Sequence, residues 1–233
     1  MKVLTKFIQF NSRLERKVRQ SRHDSGAMES ATSAKCSDTT TRVVVLIVDH
    51  SVSMGWTDYP PSRLQAAIDA ATEYVSTLAK QSQNAHVAVV CFSDRAQLVV
   101  SLTPIRHHRK IIKEMRSIRV QGGTDIATGL KLATKVLAEH AIKDAQVQLV
   151  LLTDGHGGNP VADSDKAKRK YNAIIDVVGI GGAPKDVNEP LLRAVATTDP
   201  DGGSHYHFVR DAHALKHHYR QLATGLVWKG TDR

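Results

Sequence analysis

The chain has 233 residues, 41% of them hydrophobic, 24% charged and 5% aromatic, with two cysteines and a formal net charge of +9. That length is enough to bury a proper core and the composition is globular rather than disordered or fibrous, while the two cysteines suggest no disulfide framework and fit a reducing cytoplasm. Residues 1–42 hold nine Lys/Arg against four acids and the remaining residues hold 23 against 19, so the body is only mildly basic and no nucleic-acid motif accompanies it.

At the N-terminus, Lys6 interrupts the apolar stretch and no small-residue cleavage site follows, so no secretory signal is expected. Seven Lys/Arg against one Glu in residues 1–22 leave a transit peptide open. Leu4, Phe7, Ile8, Leu14 and Val18 recur at near-helical spacing among Arg13, Arg16, Lys17 and Arg19, which predicts a basic amphipathic helix over 1–20. A polar linker is expected over 21–41, one α/β domain over 42–228, and a tail over 229–233. No apolar run approaches the ~20 residues that cross a bilayer.

From Arg42 onward, strand and helix patterns alternate. Val43–Val48 is a continuous β-branched run, as in a strand covered on both faces. Residues 63–80 place Leu64, Ile68, Ala71, Val75 and Leu78 on one helical face. A strand over 87–92 meets a hairpin partner over 97–102 across Ser93-Asp94-Arg95. Helices are expected over 108–118 and 126–140, then a strand over 147–152, a short polar helix and a strand over 173–178. A helix near 187–197, a short strand over 205–209 and a helix over 212–227 follow. The alternation implies a doubly wound, mostly parallel sheet with helices on both faces.

Ligand sites in such sheets form beyond the carboxyl ends of strands, where strand order reverses. The first strand ends in Asp49-His50-Ser51-Val52-Ser53, and Leu149–Thr153 leads into Asp154-Gly155. Between them Gln121-Gly122-Gly123-Thr124-Asp125 is a Gly-rich turn before a helix. Two carboxylates and three hydroxyls form an all-oxygen set, the donor type that suits a hard cation such as Mg²⁺. The plain alternative is that Ser51, Ser53 and Thr124 cap helices. Trp56 and Tyr59 lie in a long loop beside this set and are candidates for a partner-binding lip.

At these residues the sequence resembles the von Willebrand factor type A family. Asp49-x-Ser51-x-Ser53, Thr124 and Asp154 match, in order and context, its metal-ion-dependent adhesion site, and the resemblance runs from Arg42 to about Val227. It implies strand order 3-2-1-4-5-6 with one antiparallel edge strand, and a Rossmann-like fold. It implies that Asp49, Ser51, Ser53, Thr124 and Asp154 hold Mg²⁺, or Mn²⁺, and that a partner Asp or Glu completes the coordination. For stand-alone intracellular members the implied partners are a MoxR-type AAA+ ATPase or a kinase- or phosphatase-linked stress system.

The competing reading is a metal-dependent phosphatase or hydrolase. Phosphatases that use a strand-end aspartate need a second acid two residues on, where this chain has Ser51. There is no phosphate-binding Gly-x-x-x-x-Gly-Lys loop and no Gly-x-Ser-x-Gly elbow. Among twelve histidines, the pairs His205/His207 and His213/His217 bring no cysteine or carboxylate set at zinc spacing and are expected on the surface or in packing, while His50 is expected on the surface. The expectation is therefore a non-enzymatic, cytoplasmic adaptor with a protein partner, and neither nucleic acid nor a membrane.

Overall fold

The computed structural model describes residues 41–140 and 144–225. The expected helix over 1–20, nearly all of the linker and the tail over 229–233 lie outside the described residues. Strand β1, Arg42–Asp49, is buried along nearly its whole length, as its unbroken Val/Leu/Ile run requires. It is flanked by β2 (Ala85–Phe92), which pairs with the edge strand β3 (Ala96–Pro104), and by β4 (Gln146–Thr153), β5 (Ile174–Ile180) and β6 (Tyr206–Val209). The order is β3-β2-β1-β4-β5-β6. Every neighbouring pair is parallel except β2 with β3. Strand order reverses between β1 and β4, so their carboxyl ends flank the crevice where such sheets bind ligands.

Because side chains alternate along a strand, β1 feeds two cores. Val44, Leu46 and Val48 pack under α1 (Arg63–Gln81), α2 (His108–Met115) and α6 (Ala212–Thr224). Val43, Val45 and Ile47 pack under α3 (Ile126–Glu139), α4 (Val161–Tyr171) and α5 (Glu189–Val195). The apolar face read for α1 is the buried one, with Tyr74 added to it. Its start is fixed by Ser62, whose hydroxyl accepts from the Gln65 N–H at 3.1 Å, a cap that supplies one of the orphan donors of the first turn.

Two boundaries differ from the sequence reading for local reasons. The last helix stops at Thr224 because Gly225 takes a left-handed φ of 70° as its C-cap, the usual helix stop. The helix read near 187–197 is shorter, Glu189–Val195, since Asn188 caps it and Pro190 sits in its first turn. Among the described residues no helix is long and apolar enough to cross a membrane.

Candidate functional site

Asp49 is the last residue of β1 and is fully buried. Its Oδ1 accepts the Ser51 backbone N–H at 2.8 Å and its Oδ2 accepts the Thr153 hydroxyl at 2.7 Å. Burial raises the Asp49 carboxyl from its ordinary value of 3.8 to about 6; the bonds from Ser51 and Thr153 oppose that rise, and the charge of Asp154 adds to it. The parallel pairing sets Val48 beside Leu152, so the ends of β1 and β4 are level and their terminal groups meet.

Beyond the strand, the chain turns through a short 3₁₀ segment, Val52–Gly55. Ser51 stands at its N-cap position but its side chain makes no cap bond. The hydroxyls of Ser51 and Ser53 lie 3.2 Å apart, and Ser53 donates to Asp154 Oδ2 at 2.6 Å. Asp154 Oδ1 accepts the His156 N–H at 3.1 Å. Helix α3 is capped by Asp125, which accepts from the Ala127 N–H at 3.1 Å, not by Thr124. The helix-cap alternative therefore fails for Ser51 and Thr124.

Thr124 arrives by a stitched turn. Gln121 N–H donates to the His50 carbonyl at 2.8 Å, Val52 N–H to the Gly122 carbonyl at 3.2 Å, and Asp125 N–H to the Ser93 carbonyl at 2.8 Å. The loop after Asp154 closes on it from the other side: a Cβ on Gly157, whose φ is +134°, would stand 2.1 Å from the Thr124 carbonyl oxygen. Only glycine permits that approach. Asp49, Ser51, Ser53 and Asp154 thus form one bonded cluster, and the Thr124 backbone is pinned between the exits of β1, β2 and β4.

The lip expectation divides. Trp56 is 58% exposed. Tyr59 is fully buried, with its hydroxyl donating to the carbonyls of Gly181 and Val209, so it anchors the loop and cannot touch a partner. His50 is also buried rather than on the surface, its Nδ1 2.8 Å from the Arg119 carbonyl.

Arg63 was not legible as part of the site. It reads in sequence as the first residue of an amphipathic helix. In the fold it is 2% exposed. It forms an ion pair with Asp58 at 2.6 Å, lies 3.7 Å from Asp154 and stacks its guanidinium 4.7 Å from the Trp56 ring centroid. Its hydrogen bonds hold the Asp58 carboxyl below the usual range. Thr153 is a second residue outside the sequence motif, and its hydroxyl bridges the two strand ends: it donates to Asp49 and accepts from the Gly155 N–H at 3.1 Å. Thr153 belongs to the Thr-Asp-Gly strand end, and its place directly before Asp154 is the signal that the sequence offers. Among the described residues no three of His, Cys, Asp and Glu are grouped to hold a metal, so any ion here depends on hydroxyls as well as carboxylates.

A doubly wound domain that gathers serine hydroxyls and two aspartates at the ends of its two central strands is the class these features define. The chain matches the von Willebrand factor type A domain family over residues 44–156. It is 29% identical over 82% of its length to an uncharacterized protein of Synechocystis, covering 44% of that protein. It is 24% identical over 69% of its length to the rice 26S proteasome non-ATPase regulatory subunit 4 homolog, covering 40% of that protein. The chain spans less than half the length of these relatives. Its fold is shared by BatB of Bacteroides thetaiotaomicron (TM-score 0.65, 20% identity, 78% of this chain and 98% of that one). The pilus adhesin SpaC of Lactobacillus rhamnosus shares it too (TM-score 0.67, 17% identity, 81% and 31%).

Proposed function

We propose that this domain is a Mg²⁺-dependent protein-binding module that grips an acidic residue of its partner. The observation that carries the reading is the disposition of the serines: their hydroxyls are not spent on helix caps but turn onto each other and onto Asp154, next to buried Asp49. Asp49, Ser51, Ser53, Thr124 and Asp154 would hold the ion, and all their donors are oxygens, as Mg²⁺ or Mn²⁺ prefers. A cation here offsets the cost of ionising a buried carboxylate at Asp49. The ion would supply open coordination positions for a partner's Asp or Glu carboxylate.

Protein recognition is also the role that the names of the proteasome-subunit relative and the pilus adhesin suggest. For a cytoplasmic chain the partner classes are a MoxR-type AAA+ ATPase or a kinase- or phosphatase-linked stress system. The test is thermal unfolding with and without the ion. At ~100 times its Kd, Mg²⁺ stabilises the native state by about 2.7 kcal/mol, which raises Tm by several degrees at about 2–4 °C per kcal/mol. Asp49→Ala should abolish the rise; an equal rise in the variant sinks the site. Metal-dependent turnover of a phosphate ester that is lost in Asp154→Ala would instead make the protein an enzyme.

A further inference from the structure

The segment from Ile105 to Val120 enters the site loop directly, and its charge is one-sided. Arg106, Arg109, Lys110, Lys113, Arg116 and Arg119 are all exposed, and Glu114 is the segment's one acid. Among the described residues none of the six pairs with a carboxylate. Ile111 and Met115 are buried under α2, and Ile118 just after it, so the helix cannot turn its basic residues elsewhere. Arg109, Lys113 and Arg116 stand at i, i+4 and i+7 and share one face.

This stripe leads to the site. Strand β3 is antiparallel to β2, so α2 begins at the far end of the sheet and climbs toward the strand ends that carry Asp49 and Asp154. At its top the Arg119 carbonyl receives His50, and Gln121 N–H reaches the His50 carbonyl, one residue from both Asp49 and Ser51. A pocket of about 190 Å³ opens there between the end of α2 and the β2–β3 hairpin. Its polar lining includes Gln97, Ser117, Arg119 and Gln121, and no acidic side chain lines it. In the site loops Val52, Trp56 and Val120 are exposed apolar residues.

We infer that this face binds an acidic run in a partner protein, one carboxylate seated at the ion and the neighbouring acids laid along the pocket and the α2 stripe. The inference rests on the proposed function for the first carboxylate alone; the stripe's charge is independent of it. From Arg109 to Arg116 the stripe rises about 10 Å, the length of roughly three residues of extended chain. An isolated acid would leave these cations unused, whereas a run of acids matches them in sign and spacing and gains in association rate as well as affinity. Nucleic acid and anionic membrane are the other polyanions. The stripe itself has no Phe, Tyr or Trp to stack bases, and its apolar residues Ile111 and Met115 are buried, so none is left to enter lipid.

The experiment is fluorescence anisotropy in Mg²⁺ with a labelled all-glutamate peptide and a same-length Gly/Ser peptide bearing one Glu. The all-glutamate peptide should bind more tightly. The triple variant Arg109→Gln, Lys113→Gln, Arg116→Gln should weaken it by about tenfold, the order that three partly screened charge pairs give together. The double variant Arg109→Lys, Arg116→Lys keeps the charge and should stay within about twofold of the unsubstituted protein. Ion-free melting temperatures confirm that both variants fold. Equal affinity of the two peptides, no binding of the all-glutamate peptide, or a triple variant within about twofold overturns the inference. So does tighter binding of a DNA duplex or of phosphatidylserine vesicles. A missing Mg²⁺ response in thermal unfolding defeats the proposed function separately, since it leaves the stripe's effect on the peptide measurable.

Discussion

Trp56 and Tyr59 sit three positions apart in one loop and read alike in sequence, as aromatic side chains beside a site. Burial separates them, because the Tyr59 hydroxyl shares its one proton between two backbone carbonyls at the ends of β5 and β6. Tyr59→Phe should therefore cost about 1–3 kcal/mol, the penalty for leaving buried acceptors unpaired, read as a lower urea midpoint. Trp56→Ala should leave the midpoint nearly unchanged and weaken partner binding, since its ring is mostly exposed. Arg63 leads to a prediction of opposite sign. Its guanidinium lies 3.7 Å from Asp154, so it competes electrostatically with any cation at the cluster. Arg63→Met should lower stability, because Asp58 loses its partner, yet bind Mg²⁺ more tightly in a titration followed by melting temperature. Weaker Mg²⁺ binding in that variant would mean that Arg63 positions the site rather than opposing the ion. None of this was readable beforehand: a guanidinium's neighbours five residues back and ninety-one ahead follow from the fold, and no spacing rule connects them.

At the level of elements, the strands and helices were legible because both core-facing periodicities are strong. An unbroken apolar run marks β1, a helical face marks α1, and the alternation of the two gives the parallel sheet. The strand order came from the family resemblance. The glycines of the site loops were legible as turns, but not what they touch. Gly157 admits the Thr124 carbonyl where a Cβ would stand at 2.1 Å, and its φ of +134° is one that side chains rarely adopt. Gly157→Ala must displace either the Asp154 loop or the Thr124 turn. We expect a lower melting temperature and a larger fractional loss of the Mg²⁺ response than of stability, because Thr124 would move away from the other four residues. An alanine variant that keeps the full Mg²⁺ response would remove Thr124 from the ligand set. His50 shows the converse case, in which a position variable in the motif proves buried because its imidazole ties the β1 exit to the Arg119 carbonyl.

Across the whole molecule, a buried polar chain runs beneath the sheet that the sequence did not announce. His205, expected on the surface or in packing, lies with Nδ1 2.8 Å from Asp176 and Nε2 3.1 Å from Asp199. Asp176 also accepts from Gln148 at 2.7 Å, and Gln148 accepts from Tyr74 and from Arg42, each at 2.6 Å. Arg42 in turn donates to the carbonyls of Ala223 and Leu222 at 2.9 and 3.0 Å, so β1, β4, β5, α1 and α6 are joined through side chains. Only the imidazolium donates from both ring nitrogens, and the hydrogen bond that His205 donates to Asp176 accordingly raises the His205 pKa above 6.5, against the opposing pull of burial, with Asp199 adding to the rise. The folded state then holds a proton that the unfolded chain releases near 6.5, so this contribution is fully present below that pH and is lost as pH climbs through the raised folded value. Urea unfolding of the unsubstituted protein and of His205→Gln across that range isolates the effect, because groups common to both cancel in the difference. The stability gap should be widest below pH 6.5 and shrink on the alkaline side. A gap that stays constant or widens with pH would mean that His205 is neutral in the fold and only packs between its two aspartates.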